Sequence, residues 1–174
     1  MFSSTQTLSR QYLPSTTGSR LIHLPLVKSG TSIGAPPLLI DASERVTAHN
    51  ADLVIIGFGM NDLKLDAKQH KENILKIMEA ATTANPDAEF ILIATTLPNP
   101  DSKWSRHQLE TFTPVLREIE NERAGVAVAP MTEMHKFLMS KKRYSDMSGN
   151  GINHPNDFLV RIYVQTLTAL LICE

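Results

Sequence analysis

The sequence predicts an α/β domain of three layers, a parallel sheet held between helices. Three observations carry that class. Apolar runs of strand length stand at residues 53–57, 90–94 and 126–129. Stretches with a single apolar helical face lie between them, and another closes the chain at 158–172. Strands alternating with helices of that length join through right-handed crossovers, which leave the strands parallel and put helices on both faces.

The elements follow in order. Nine of the first 20 residues are Ser or Thr and no four apolar residues adjoin, so 1–20 reads as an irregular segment ahead of a domain at 21–174. Residues 21–27 read as a strand whose Pro25 confines it to a sheet edge. Residues 38–48 supply the crossover helix to strand 53–57, which is apolar on both faces and expected to be fully buried. Asp66 caps the next helix, and Gln69 three residues on completes a capping box. Ile74, Ile77, Met78 and Ala81 share its inner face, and Asn85-Pro86 ends it. Strand 90–94 runs into a polar loop with Pro98, Pro100 and Trp104. Thr113-Pro114 opens a helix with proline in its first position, and Val115, Leu116 and Ile119 form the stripe. A short helix at 132–140 follows the third strand, and Asp157 is expected to cap the last helix.

Composition narrows the function classes. The chain has 174 residues, 42% of them apolar, enough for one domain with a real core. A net charge of −1 offers no electrostatic footprint for nucleic acid or an anionic membrane. The cluster Lys141-Lys142-Arg143 is short enough to be a solvated turn. A single cysteine, Cys173, excludes a disulfide framework within the chain. No apolar run approaches a membrane span, and the N-terminus lacks the basic start and apolar centre of a secretion signal, so a cytoplasmic location is the default expectation. His23, His49, His70, His107 and His135 show no metal-ligand spacing and read as surface or hydrogen-bonded histidines; no cofactor is expected. Met131, Met134 and Met139 read as core filler, and Trp104 as either a loop anchor or a pocket wall.

Two segments carry chemistry. Gly57-Phe58-Gly59-Met60-Asn61-Asp62 stands at the end of strand 53–57, and Asn153-His154-Pro155 stands just before the last helix. In an open parallel sheet, loops at the carboxyl ends of strands meet in one crevice. An amide donor and an imidazole meeting there suit acyl transfer. The first steadies a developing oxyanion and the second moves a proton.

These residues resemble the SGNH hydrolases, the GDSL-like esterases and lipases, across roughly residues 26–172. Gly59-Met60-Asn61-Asp62 is similar to that family's Gly-x-Asn-Asp block, and Asn153-His154-Pro155 to its histidine block. Ser29-Gly30-Thr31-Ser32 is similar to the block whose glycine N–H joins the oxyanion hole. The resemblance implies a flavodoxin-like sheet with a missing or altered N-terminal strand. It implies His154 as general base, Asn61 and Gly30 as oxyanion donors, and Gly59 beside them on the substrate side. The family's Gly-Asp-Ser turn is absent. Phe2-Ser3-Ser4-Thr5-Gln6 resembles its Gly-Ser-Ser-Ile-Thr-Gln variant, which would make Ser4 the nucleophile. The other reading is a chain whose first strand and serine are missing or replaced. Gly151 stands where the family carries the aspartate that orients the histidine, so a backbone carbonyl, Asp146 or Asp157 must take over that task.

The expected activity is a metal-independent serine esterase acting on a small acyl ester, an acetylated sugar among the candidates. The alternative is a member that keeps the fold and binds a ligand or partner without turnover. An unpaired strand edge also motivates a homodimer.

Overall fold

The computed structural model describes residues 32–34, 36–103 and 107–172. The segments read above at 1–20 and 21–27, with Ser4 and Gly30, lie outside the described residues, as do Trp104 and Cys173. The described elements are α1 (Pro36–His49), β1 (Leu53–Ile56), α2 (Ala67–Ala84), β2 (Glu89–Ile93), α3 (His107–Glu110), α4 (Phe112–Glu122), β3 (Val126–Ala129), α5 (Met131–Met139), a single 3-10 turn (Tyr144–Asp146) and α6 (Asp157–Leu171).

The three strands form one parallel sheet in the order β1-β2-β3. Leu53 pairs with Glu89 and Ile56 with Leu92, while Phe90 pairs with Val126 and Ile93 with Ala129. Side chains alternate across a sheet, so each strand feeds two cores. Val54, Ile56, Phe90, Leu92, Val126 and Val128 pack with Ile74, Ile77, Met78, Leu116 and Ile119 on the α2/α4 side. Ile91, Ile93, Ala127 and Ala129 pack on the other side against Ile162, Tyr163, Leu167 and Leu170 of α6. This is the three-layer α/β/α arrangement that the alternating pattern predicts.

Local chemistry explains both ends of α2. Asp66 accepts the Gln69 N–H at 2.7 Å, and the Gln69 side chain accepts the Asp66 N–H at 3.1 Å. Both halves of the expected capping box are present, an arrangement worth about 1 kcal/mol. Asn85 stops α2 and ties its end to β1 by donating to the Ala51 carbonyl and the Asp52 carboxylate, each at 3.1 Å.

Four expectations are corrected. The last helix is capped by Asn156, whose side chain accepts the Leu159 N–H at 3.2 Å; Asp157 is the first helical residue, where its charge complements the helix dipole. Helix α4 opens at Phe112, which puts Pro114 at its third position, still within the turn whose N–H groups lack helical partners. The polar loop after β2 contains the short helix α3. Strand β1 is not fully buried, because Ile55 faces the α6 side at the sheet's flank and is 40% exposed.

Candidate active site

The carboxyl ends of β1 and β2 and the loop before α6 converge. Beyond β1, Gly59 adopts φ +131, and a Cβ there would lie 3.0 Å from the Thr95 side chain. Glycine is therefore required twice at this position, for the backbone conformation and for the close approach. The Asp62 N–H donates to the Gly59 carbonyl at 2.9 Å, and the Leu65 N–H to the Asp62 carbonyl at 3.0 Å. Asn61 sits inside the first of these two closures.

Asp62 holds the turn from below. Its buried carboxylate accepts the Ser32 hydroxyl at 2.5 Å, and the Gly34 N–H donates to that same Ser32 oxygen at 3.2 Å. Burial pushes its pKa above the usual carboxylate value, and the hydrogen bond from Ser32 pulls it partly back. The turn carrying Asn61 is thus tied to residues 32–34. The other carboxylate oxygen faces Nδ1 of His70 across 3.7 Å, too far for a hydrogen bond. His70 stacks on Phe112 with ring centres 4.1 Å apart. Burial lowers its pKa to about 4, so it is neutral at pH 7 and the two residues are not an ion pair.

His135 is the second buried histidine. Its Nδ1 accepts the Leu97 N–H at 3.0 Å, and burial holds its pKa at about 4. It fits the expected hydrogen-bonded histidine. His70 does not, since among the described residues neither of its ring nitrogens has a hydrogen-bond partner.

These two residues give the fold a pH response. Both pKa values are depressed below 6.5, so between pH 6.5 and 4 the unfolded chain binds protons that the folded chain does not. Stability must then fall on acidification through that window. Asp62, with a raised pKa, opposes this with one proton at the acid end. The urea midpoint measured at pH 6 and pH 5 is expected to report a loss of about 2 kcal/mol. A midpoint that holds or rises would overturn the assignment of both histidines as buried and neutral.

The histidine loop is held through its backbone. The Asn150 Oδ1 accepts the N–H groups of Ile152, Asn153 and His154 at 2.9, 3.0 and 3.0 Å. The His154 carbonyl accepts from the Gly149 N–H at 2.8 Å and the Ser148 hydroxyl at 3.1 Å. Asn156 donates to the Asp146 carbonyl at 2.9 Å. The His154 side chain is left exposed at the loop's edge. The aspartates expected to orient it are engaged elsewhere: Asp146 pairs with Arg143 at 3.2 Å, and Asp157 lies in the first turn of α6.

A pocket of about 420 Å³ opens between these loops and α6. Asn61 and His154, far apart in sequence, both line it. Phe58, Met60, Ile93, Val160, Tyr163 and Val164 give it apolar walls, and Thr95, Thr96 and Asn153 add polar groups. Gly59 supports the turn behind Asn61 without lining the cavity. The sequence reading did not single out the threonines or Tyr163. Thr95 and Thr96 directly follow strand 90–94, a position at the carboxyl edge of the sheet that could have marked them. Tyr163 is partly buried and its hydroxyl pKa is raised to about 12 by desolvation; nothing in its sequence context distinguishes it from a core tyrosine.

Among the described residues, no group of three or more His, Cys, Asp or Glu side chains could hold a metal ion. No described helix is long and apolar enough to cross a membrane.

The model of the GDSL-like lipase/acylhydrolase family matches residues 3–158. No curated protein matches the chain. Solved structures do. A carbohydrate esterase of family 3 from Talaromyces cellulolyticus superposes with a TM-score of 0.64 at 17% identity, over 82% of this chain and 67% of that one. A variant of an acetyl-xylooligosaccharide esterase from Geobacillus stearmophilus gives 0.66 at 16% identity, over 84% and 70%. A peptidoglycan O-acetylesterase gives 0.52 at 14% identity, over 82% and 44%. At these identities the likeness is one of fold.

Proposed function

Because the chain belongs to the GDSL-like lipase/acylhydrolase family, we propose that it is a serine esterase that hydrolyses small acyl esters through an acyl-serine intermediate. The observation that carries the reading is the pocket wall shared by Asn61 and His154 at the carboxyl edge of the sheet. An acyl ester bound there would present its carbonyl to an amide donor and its reacting oxygen to an imidazole.

In this reading the Ser4 hydroxyl attacks the ester carbonyl carbon while His154 takes its proton. The carbonyl oxygen becomes an anion that accepts hydrogen bonds from the Asn61 side chain and the Gly30 N–H. The C–O bond to the alcohol then breaks, and His154 returns the proton to the departing oxygen. Water repeats the sequence on the acyl-serine and releases the acid. The substrate class we favour is an acetylated carbohydrate, because similar folds are found in carbohydrate and peptidoglycan acetylesterases. Thr95, Thr96 and Asn153 offer hydroxyl and amide partners for a sugar on the same wall.

A non-catalytic reading keeps one observation in its favour. Among the described residues that line the pocket there is no serine. A fluorophosphonate, which modifies only an activated serine, separates the two. The expected result is loss of 4-nitrophenyl acetate hydrolysis together with an adduct mapped to Ser4. An adduct on another serine would move the nucleophile. No hydrolysis and no adduct, with retained binding of an acetylated oligosaccharide, would establish the binding reading instead.

A further inference from the structure

We propose that Asn99 is a positioning residue for His154, a task that relatives with an aspartate three residues before the histidine assign to that carboxylate. The proposal rests on the esterase reading of His154 and adds a residue that neither the motifs nor the family assign.

Gly151 occupies the aspartate's place, and among the described residues no carboxylate bonds the His154 imidazole. What meets the loop is the segment after β2. The Asn99 side chain donates to the Gly151 carbonyl at 2.7 Å. The Asn99 backbone N–H donates to the Ile152 carbonyl, also at 2.7 Å. Gly151 has φ +71, a left-handed conformation that turns its carbonyl out of the loop. The Tyr144 hydroxyl adds a third bond to the same pair of carbonyls, reaching Ile152 at 2.9 Å.

The clamp is itself rigid. Asn99 Oδ1 accepts the Asp101 N–H at 2.9 Å, and its carbonyl accepts the Ser102 N–H at 3.0 Å, so a local turn fixes the side-chain amide. Two residues upstream, Leu97 is pinned by His135 at 3.0 Å and by Tyr144 at 3.2 Å. The segment carrying Asn99 also carries Thr95 and Thr96 on the pocket wall. Asn99 therefore sets the distance between that wall and the histidine loop.

Its effect reaches His154 along a short path. The N–H groups of Ile152, Asn153 and His154 share one acceptor, Asn150 Oδ1. The Asn99 amide holds the Gly151 carbonyl at 2.7 Å, the Gly151 N–H donates to Ser148 Oγ at 2.9 Å, and the Ser148 hydroxyl donates to the His154 carbonyl at 3.1 Å, so removing the amide loosens the backbone of His154 although the Asn99 N–H still holds Ile152. A catalytic base displaced by a fraction of an ångström loses rate without losing substrate affinity.

The test uses the full chain with 4-nitrophenyl acetate as probe, and the 15N-labelled histidine resonances as a readout that needs no turnover. Asn99→Ala is expected to lower kcat about tenfold with KM within about twofold. The His154 ring resonances should shift and broaden as its loop samples more than one conformation. Asn99→Asp keeps the acceptor for Asp101 but has no N–H for the Gly151 carbonyl, and should behave like the alanine variant. In a His154→Ala background Asn99→Ala should cost nothing further, because a positioning residue acts only through the group it positions. Unchanged kcat with an unchanged His154 spectrum would overturn the proposal, as would an equal loss in the His154→Ala background. Wild-type activity in His154→Ala alone would instead sink the role of His154, and the resonances would still decide whether Asn99 orders that ring.

Discussion

Replacing His154 by alanine is expected to lower kcat for 4-nitrophenyl acetate by about a thousandfold, with KM within about twofold, since a positioned proton-transfer group contributes on that scale. The side chain is exposed and carries none of the hydrogen bonds that hold its loop. Those bonds run through the backbone of residues 149–154 and through Asn150. Truncation should therefore leave the fold and the pocket wall in place, and the urea midpoint should stay within a few tenths of a kcal/mol of the parent. The split matters, because a structural histidine would move the midpoint and leave kcat alone. Addition of imidazole to the variant should restore part of the rate, because the vacated edge of the pocket is open to solvent. A His154→Ala protein that turns over at the parent rate would remove this residue from the mechanism.

The fold and the candidate site were legible to different depths. Strands at 53–57, 90–94 and 126–129 announce themselves because a central parallel strand is apolar on both faces. The Asp66/Gln69 box is legible because both partners lie within one helical turn. The cap of α6 lies one residue before Asp157: Asn156 and Asp157 are equally good caps by type, and the choice falls on Asn156 because its amide also reaches the Asp146 carbonyl. Ile55 looked buried because its letters match those of Ile91, but only the strands beneath α6 are covered on that face. Within the site, Asn61 and His154 stand in short motifs with a chemical reason for each residue type. The clamp from Asn99 left no trace in sequence. It acts on backbone carbonyls, which every residue has, and its partners lie in a loop whose position relative to β2 only the folded chain defines.

Replacing Asn61 by alanine is expected to cost 10²- to 10³-fold in kcat, about 3–4 kcal/mol of transition-state stabilisation, which is the usual toll for losing one oxyanion donor. The pocket gives the reason for the size. Its lining includes Phe58, Met60 and Ile93, so much of the wall that Asn61 shares offers the oxyanion no other donor. The loss should fall on kcat and kcat/KM alike, since the charge it meets exists only in the tetrahedral state. Asn61→Asp is the sharper variant. It keeps the shape but brings a carboxylate to where negative charge develops, and beside the buried Asp62 it adds a second acidic group to one turn. It should be at least as inactive as alanine, because a carboxylate cannot donate to the oxyanion and repels the charge that develops there. The turn itself should survive both changes, because it is closed by the Gly59 carbonyl and the Asp62 carboxylate rather than by position 61 alone. Equal kcat for the parent and both variants would mean that no oxyanion forms beside this amide, and the acyl-transfer chemistry proposed for the pocket would fall with it.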